Sequence, residues 1–208
     1  MRKLTENEII RTLAVLQKHY EPIPLEAFEN NPYKILISTL MSARTNDDTT
    51  FVASSRLFEK APTIFDLLNL PTPEIEKLIY PVGFYKTKAK HINKLSRIVV
   101  EEFKGNVPKS RERLMLLPGV GRKTANLVLN RAFGYPAIAV DTHVHRITNM
   151  LGWVSTKTPI ETEKELMRII PQKYWTKMNK LFVSLGRKYR SKIKLNEFLI
   201  QNNLIKTQ

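Results

Sequence analysis

Two short stretches hold residue types that can do chemistry, Leu117-Pro118-Gly119-Val120-Gly121-Arg122-Lys123-Thr124-Ala125 and Ala139-Val140-Asp141-Thr142-His143. In the first, Gly119 and Gly121 can take backbone angles closed to other residues and let an anion approach the main chain. A helix opening near Arg122 would aim unpaired amides at the same place, so Gly119, Val120, Gly121 and Arg122 read as a seat for a phosphate. Lys123 follows at the positive end of that helix, among other cations, where another positive charge is disfavoured and a neutral, nucleophilic amine is favoured. Asp141 adds a carboxylate that can hold a proton or offset developing positive charge. An amine, a carboxylate and a phosphate seat point to chemistry on a nucleic acid.

The whole-chain charge agrees. Against 19 acidic residues stand 34 Lys and Arg, a formal net charge of +15 in 208 residues, so the long-range field draws in polyanions. Hydrophobic content of 42% is enough for one sizeable core or two small ones. No apolar run approaches the ~18 to 20 residues of a transmembrane helix. The opening Met1-Arg2-Lys3-Leu4-Thr5-Glu6 leads into mixed charge rather than a signal-peptide core, so a soluble, cytoplasmic, nucleoid-associated protein is expected, with no membrane partner. Cysteine is absent, which excludes disulfides, thiolate zinc sites and any iron–sulfur cluster held by the chain's own thiolates.

Apolar residues recur at helical spacing almost throughout, and cap residues, Pro and Gly punctuate them in the order helices prefer, so the fold class is all-α. Thr5 with Glu8 opens a helix to about Tyr20, Asn31-Pro32 a second, and Asn46-Asp47 a third reaching about Lys60. Short segments follow from Thr63 and from Thr72-Pro73, then a longer helix capped by Thr87 and stopped by Gly105. Arg111 to Leu116 and Arg122 to Phe133 form two arms around the glycine turn. Asp141 caps a helix to Leu151, Thr158-Pro159 with Glu161 opens another, and Lys173 to Tyr189 forms the last long one.

With these motifs in order, the chain resembles the endonuclease III family of helix-hairpin-helix DNA glycosylases. The resemblance rests on Leu117 to Ala125, Ala132-Phe133-Gly134 and Val140 to His143. Upstream, Ser42-Ala43-Arg44-Thr45-Asn46-Asp47 and Val82-Gly83-Phe84-Tyr85-Lys86-Thr87-Lys88-Ala89 are similar to that family's two loops that enter opened duplex. The resemblance implies two helical lobes with a DNA groove between them. One is a six-helix barrel of residues 25–135 carrying the hairpin; the other comprises residues 1–24 and 136–208. It implies a bifunctional glycosylase and abasic-site β-lyase that excises oxidised pyrimidines, with Lys123 as Schiff-base nucleophile and Asp141 as its catalytic partner. Extruding a base leaves a space to fill, and Arg44 and Phe84 are the residues expected to fill it. Tyr85, Lys88 and His143 are expected to contact DNA with the hairpin residues. The partner is double-stranded DNA with a damaged base or abasic site, met by a monomer. Whether a monovalent cation bridges hairpin and phosphate stays open.

Departures from the family are as informative. Members usually carry a C-terminal four-iron cluster on C-x₆-C-x₂-C-x₅-C, and the corresponding positions here are Arg190, Glu197, Ile200 and Lys206, so no metal or other cofactor is expected. Lys188, Arg190, Lys192 and Lys194 are expected to keep the basic face such a loop presents to DNA, while Tyr189, Ile193, Leu195, Phe198 and Leu199 replace the cluster as a packing nucleus. Arg44 stands where many members have Gln facing the orphaned base, and Phe84 where Leu is frequent.

Plainer readings accompany each of these. Lys123 could be a phosphate contact only; Asp141 is a natural helix cap whatever else it does. His143 and His145 lack the partners of a metal site, and Trp153, Trp175 and Phe182 read as core. Lys86, Lys88, Lys90 and His91 could be a solvated face, and Tyr85 is undecided. A monofunctional mismatch glycosylase, acting on adenine or thymine, would lack Lys123, and a silent DNA-binding module would use the hairpin and charge alone.

Overall fold

A computed structural model describes residues 4–29 and 31–206, so the first three residues of the N-terminal stretch lie outside the described residues. Every regular element among them is helical. In chain order they are α1 (Glu6–Lys18), α2 (Pro32–Ser42), α3 (Asp47–Lys60), α4 (Ile64–Leu68), α5 (Thr72–Ile79) and α6 (Tyr85–Phe103). Then follow α7 (Arg111–Met115), α8 (Arg122–Phe133), α9 (Thr142–Met150), α10 (Pro159–Ile169), α11 (Trp175–Lys188) and α12 (Lys192–Gln201).

The starts obey local chemistry. Thr5 and Glu8, Thr63 and Asp66, and Thr158 and Glu161 exchange side-chain and backbone bonds as capping boxes, and Asn31, Asn46, Ser110 and Asp141 cap their helices singly. Thr87 is the exception. It lies inside α6, which opens two residues earlier from Phe84 in a left-handed conformation, φ 58°, with no side-chain cap.

The chain divides into two compact units, one of residues 24–135 and the other of residues 1–23 and 136–208. The first holds α2 to α8, two of them only five residues long, around Ile35, Leu36, Ile37, Leu57, Leu67, Ile75, Ile92 and Leu95, all essentially removed from solvent. Burying each such side chain contributes about 1.5–3 kcal/mol before conformational entropy is charged against it. α2 runs through the middle of that unit, with eight of its eleven residues buried, so any chain leaving its end is anchored.

The second unit packs α1 and α9 to α12 around Leu13, Leu16, Ile138, Val144, Ile147, Leu166, Met178 and Phe182. Trp153 meets Phe182 edge-on at 5.7 Å, which places both in the core, and Trp175 donates its indole N–H to the Ile170 carbonyl at 2.8 Å. The C-terminal tail is helical and shares this core: Leu195, Phe198 and Leu199 are buried, with Tyr189 4.7 Å and His19 5.0 Å from Phe198. Ile193 does not join them. It is 71% exposed, because two residues before Leu195 it points about 200° around the helix, away from the packed face.

If apolar burial holds the tail together, Phe198→Ala should cost about 3–5 kcal/mol in urea melts and speed exchange of α12 amides. A loss under about 1 kcal/mol would show that α12 contributes little to the unit.

Candidate active site

In the unit of residues 24–135, α7 and α8 are two arms joined by Leu117 to Gly121. Arg111 Nε donates to Asn126 Oδ1 at 2.8 Å, linking arm to arm, and Val120 donates its amide to the Leu117 carbonyl at 3.0 Å, closing the turn. That bond spends the Val120 amide on the hairpin itself, so among the expected anion contacts Val120 serves as a buried apolar anchor. Gly119 is needed by sterics: its φ is +78°, and a Cβ would lie 2.8 Å from His91 Nδ1 and 3.2 Å from Leu40 Cδ1.

Gly121 is different. Its φ is −89° and a Cβ there would meet nothing within 4 Å, so neither strain nor packing inside the protein calls for glycine. The bare backbone leaves open space over the start of α8, where no side chain caps the first turn. Those amides lack intrahelical acceptors by construction and can receive an anion. Lys123 is exposed in that same turn, and Arg122 beside it is half-buried.

On the same unit, the chain leaving α2 meets the chain entering α6. Arg44 has φ 55° and Phe84 φ 58°, two non-glycine residues in the left-handed region. The Arg44 guanidinium lies 5.6 Å from the Phe84 ring centre, both side chains are exposed, and Tyr85 meets Tyr80 edge-on at 5.3 Å. Lys88 corrects the sequence expectation of a DNA contact. Only 7% of it is exposed, and its Nζ donates to the carbonyls of Met41 and Ala43 at 2.6 and 2.5 Å and to Thr45 Oγ1 at 3.3 Å. Burial lowers its pKa to about 8. α6 turns this lysine inward, while its neighbours Lys86 and Lys90 remain exposed.

In the other unit, Asp141 is the cap of α9, its Oδ1 accepting from His143 N at 2.9 Å and Val144 N at 2.8 Å. That fixes the carboxylate's orientation and leaves Oδ2 without a hydrogen bond among the described residues. The His143 ring lies against Gly186 so closely that a Cβ there would overlap it, and Asn179 Nδ2 holds the approach to Asp141 through the Ala139 carbonyl at 3.0 Å.

Arg146, one turn further along α9, donates to the carbonyls of Arg190 at 2.7 Å and Tyr189 at 3.1 Å, closing off the end of α11; its Nε is buried without a partner. The clasp sets the start of the basic tail, in which Arg190, Lys192 and Lys194 are exposed. Lys188 instead pairs with Glu21, whose carboxylate raises the lysine's pKa. An exposed pair of this kind is weak and can be exchanged for a phosphate.

At the cluster positions the residues do not fit iron. Arg190, Glu197 and Lys206 are exposed and carry no thiolate, Ile200 is apolar, and α12 runs through the segment. Among the described residues no group of three or more His, Cys, Asp or Glu could hold a metal ion, and no helix is long and apolar enough to cross a membrane. Sequence reasoning missed Thr45 and Gly83, whose bond is described below; Thr and Gly in a loop carry no signal of a long-range partner.

Comparison with known proteins adds the following. Residues 37–172 match the family described as HhH-GPD superfamily base excision DNA repair protein. Endonuclease III of Thermotoga maritima is 49% identical over 160 residues, covering 77% of this chain and 75% of its own length. A solved non-covalent endonuclease III–DNA complex is 38% identical with a TM-score of 0.81, covering 91% of this chain and 89% of that one. A trapped endonuclease III–DNA covalent intermediate is 37% identical with a TM-score of 0.78, over 90% and 89% of the two chains.

The Lys88 amine titrates near 10.5 when solvated and near 8 when folded, so between those values the unfolded chain binds more protons and stability rises with pH. Wild-type protein should therefore gain stability relative to Lys88→Met from pH 8 to 10.5 in urea melts. A flat difference would mean the ammonium is not held away from water.

Proposed function

The chain belongs to the endonuclease III family of the HhH-GPD superfamily and is a DNA glycosylase and abasic-site lyase of base excision repair; from that premise we propose how its residues act, and on oxidised or ring-saturated pyrimidines in duplex DNA as substrate. A phosphate of the damaged strand sits on the open amides of α8 beside Gly119, Gly121 and Arg122, and Arg44 and Phe84 occupy the space the extruded base vacates. The Lys123 amine attacks C1′ and expels the base, and the deoxyribose ring opens to a Schiff base. Loss of a C2′ proton then drives departure of the 3′ phosphate and nicks the strand. Asp141 accepts the proton the lysine must lose and offsets positive charge on the sugar as the glycosidic bond lengthens. Arg190, Lys192, Lys194 and, once released from Glu21, Lys188 grip the backbone; His143 contacts it beside Asp141.

The observation that carries this reading is an exposed lysine in the uncapped first turn of α8, next to a glycine that nothing within the protein requires. The relative's trapped covalent intermediate with DNA supports a covalent protein–DNA step.

Incubation with abasic duplex and borohydride should give a covalent adduct, abolished in Lys123→Ala. An Asp141→Asn protein, whose amide oxygen can still cap α9, should excise at least about 10²-fold more slowly at unchanged stability. An intact protein that fails to trap would reduce the chain to a DNA-binding module. Log affinity should also fall linearly with log salt, Lys194→Ala or Arg190→Ala each flattening the slope by about one unit without altering base preference.

A further inference from the structure

We propose that Lys88 is a positioning residue that locks the Arg44 loop to the Phe84 loop, so that the two side chains enter a duplex as one body; this rests on the function proposed above. The geometry has four parts. First, the Lys88 ammonium reaches from the opening turn of α6 to Met41 O, Ala43 O and Thr45 Oγ1, which are the end of α2 and the loop beyond it. Second, Thr45 Oγ1 also accepts the Gly83 amide at 3.0 Å, so one hydroxyl on the Arg44 side accepts hydrogen bonds from two donors on the Phe84 side. Third, a Cβ on Gly83 would lie 2.7 Å from Arg44 O, which means the two backbones are in contact. Fourth, Arg44 stacks over Phe84 at the tip.

An ammonium suits this place because it has three donors and no acceptor, matching two carbonyls and a hydroxyl around one point. The carbonyls it binds are among those that the end of α2 leaves without intrahelical partners. Two left-handed non-glycine residues, one in each loop, persist only where their surroundings over-determine them, and the same clasp constrains both. A phosphate-binding lysine would need its head group in solvent; this one is turned inward to protein oxygens, with burial opposing its charge. An ammonium that accepts burial in order to tie together the two proposed DNA-inserting loops serves position.

The test separates base extrusion from chemistry. A duplex carrying 2-aminopurine opposite a tetrahydrofuran abasic analogue reports unstacking by fluorescence, with no bond broken. Lys88→Met keeps the side-chain length and removes the buried charge together with the donor to the Met41 and Ala43 carbonyls, and urea melts identify the folded variants; Thr45→Ala removes the shared hydroxyl from the other side. Both should slow the fluorescence rise at least fivefold at saturating protein. Both should also lower the ratio of the base-excision rate to the abasic borohydride-trapping rate at least tenfold. Folded variants with wild-type fluorescence rates and an unchanged ratio would overturn the proposal, and so would loss of the fold in both, since the clasp would then be a folding element. Wild-type protein that unstacks the reporter but never traps would instead sink the Schiff-base reading and leave the loop coupling standing on fluorescence alone.

Discussion

A helix ends in backbone groups that must find partners outside it, and the functional surface of this protein is organised by how four such ends are met. The start of α8 has no side-chain cap, with the exposed Gly121 before it. The start of α9 is closed by Asp141, which leaves one carboxylate oxygen over. The end of α2 is met by the Lys88 ammonium and the end of α11 by the Arg146 guanidinium. Two ends thus present chemistry, while the other two fix the loops and the tail beside them. Ordinary caps serve the helices that only build the core, as at Thr5, Thr63 and Thr158.

The same accounting explains where the protein accepts cost. Lys88 carries charge into a place where burial opposes it, and Arg146 leaves Nε buried and unpaired. Left-handed Arg44 and Phe84 add backbone strain of about 1–2 kcal/mol each. These penalties lie in segments that turn the chain toward the proposed DNA-binding loops or the basic tail, whereas left-handed Lys104 and Asn203 follow the ends of α6 and α12. The apolar interiors, by comparison, show ordinary helix packing around fully buried Ile and Leu side chains.

Local signals were legible from residue types alone. Capping boxes, proline at first helical positions and the paired glycines placed most helices within a residue or two, because those signals act within one turn. The glycine turn, the exposed Lys123 and the capping role of Asp141 follow from the same short-range rules. What escaped the sequence was long-range or depended on which way a helix faces. Lys88 sits in a run of cations and reads as one of a solvated set until the rotation of α6 sends it inward. Ile193 reads as core for the opposite reason, since hydrophobicity does not state its angle on α12. The Thr45 to Gly83 bond joins positions 38 residues apart and has no signature at either end. α12 itself went unread: Ser191 stands at its start without making a side-chain cap bond, and only Leu195, Phe198 and Leu199 mark its buried face.

The tail without thiolates has a further consequence. With Leu195, Phe198 and Leu199 buried in the second unit and no cysteine in the chain, the C-terminal packing of that unit is made by apolar side chains and not by a thiolate-held cluster. Peroxide finds no cysteine to oxidise, leaving the six methionines as its sulfur targets, and Met178 among them is fully buried.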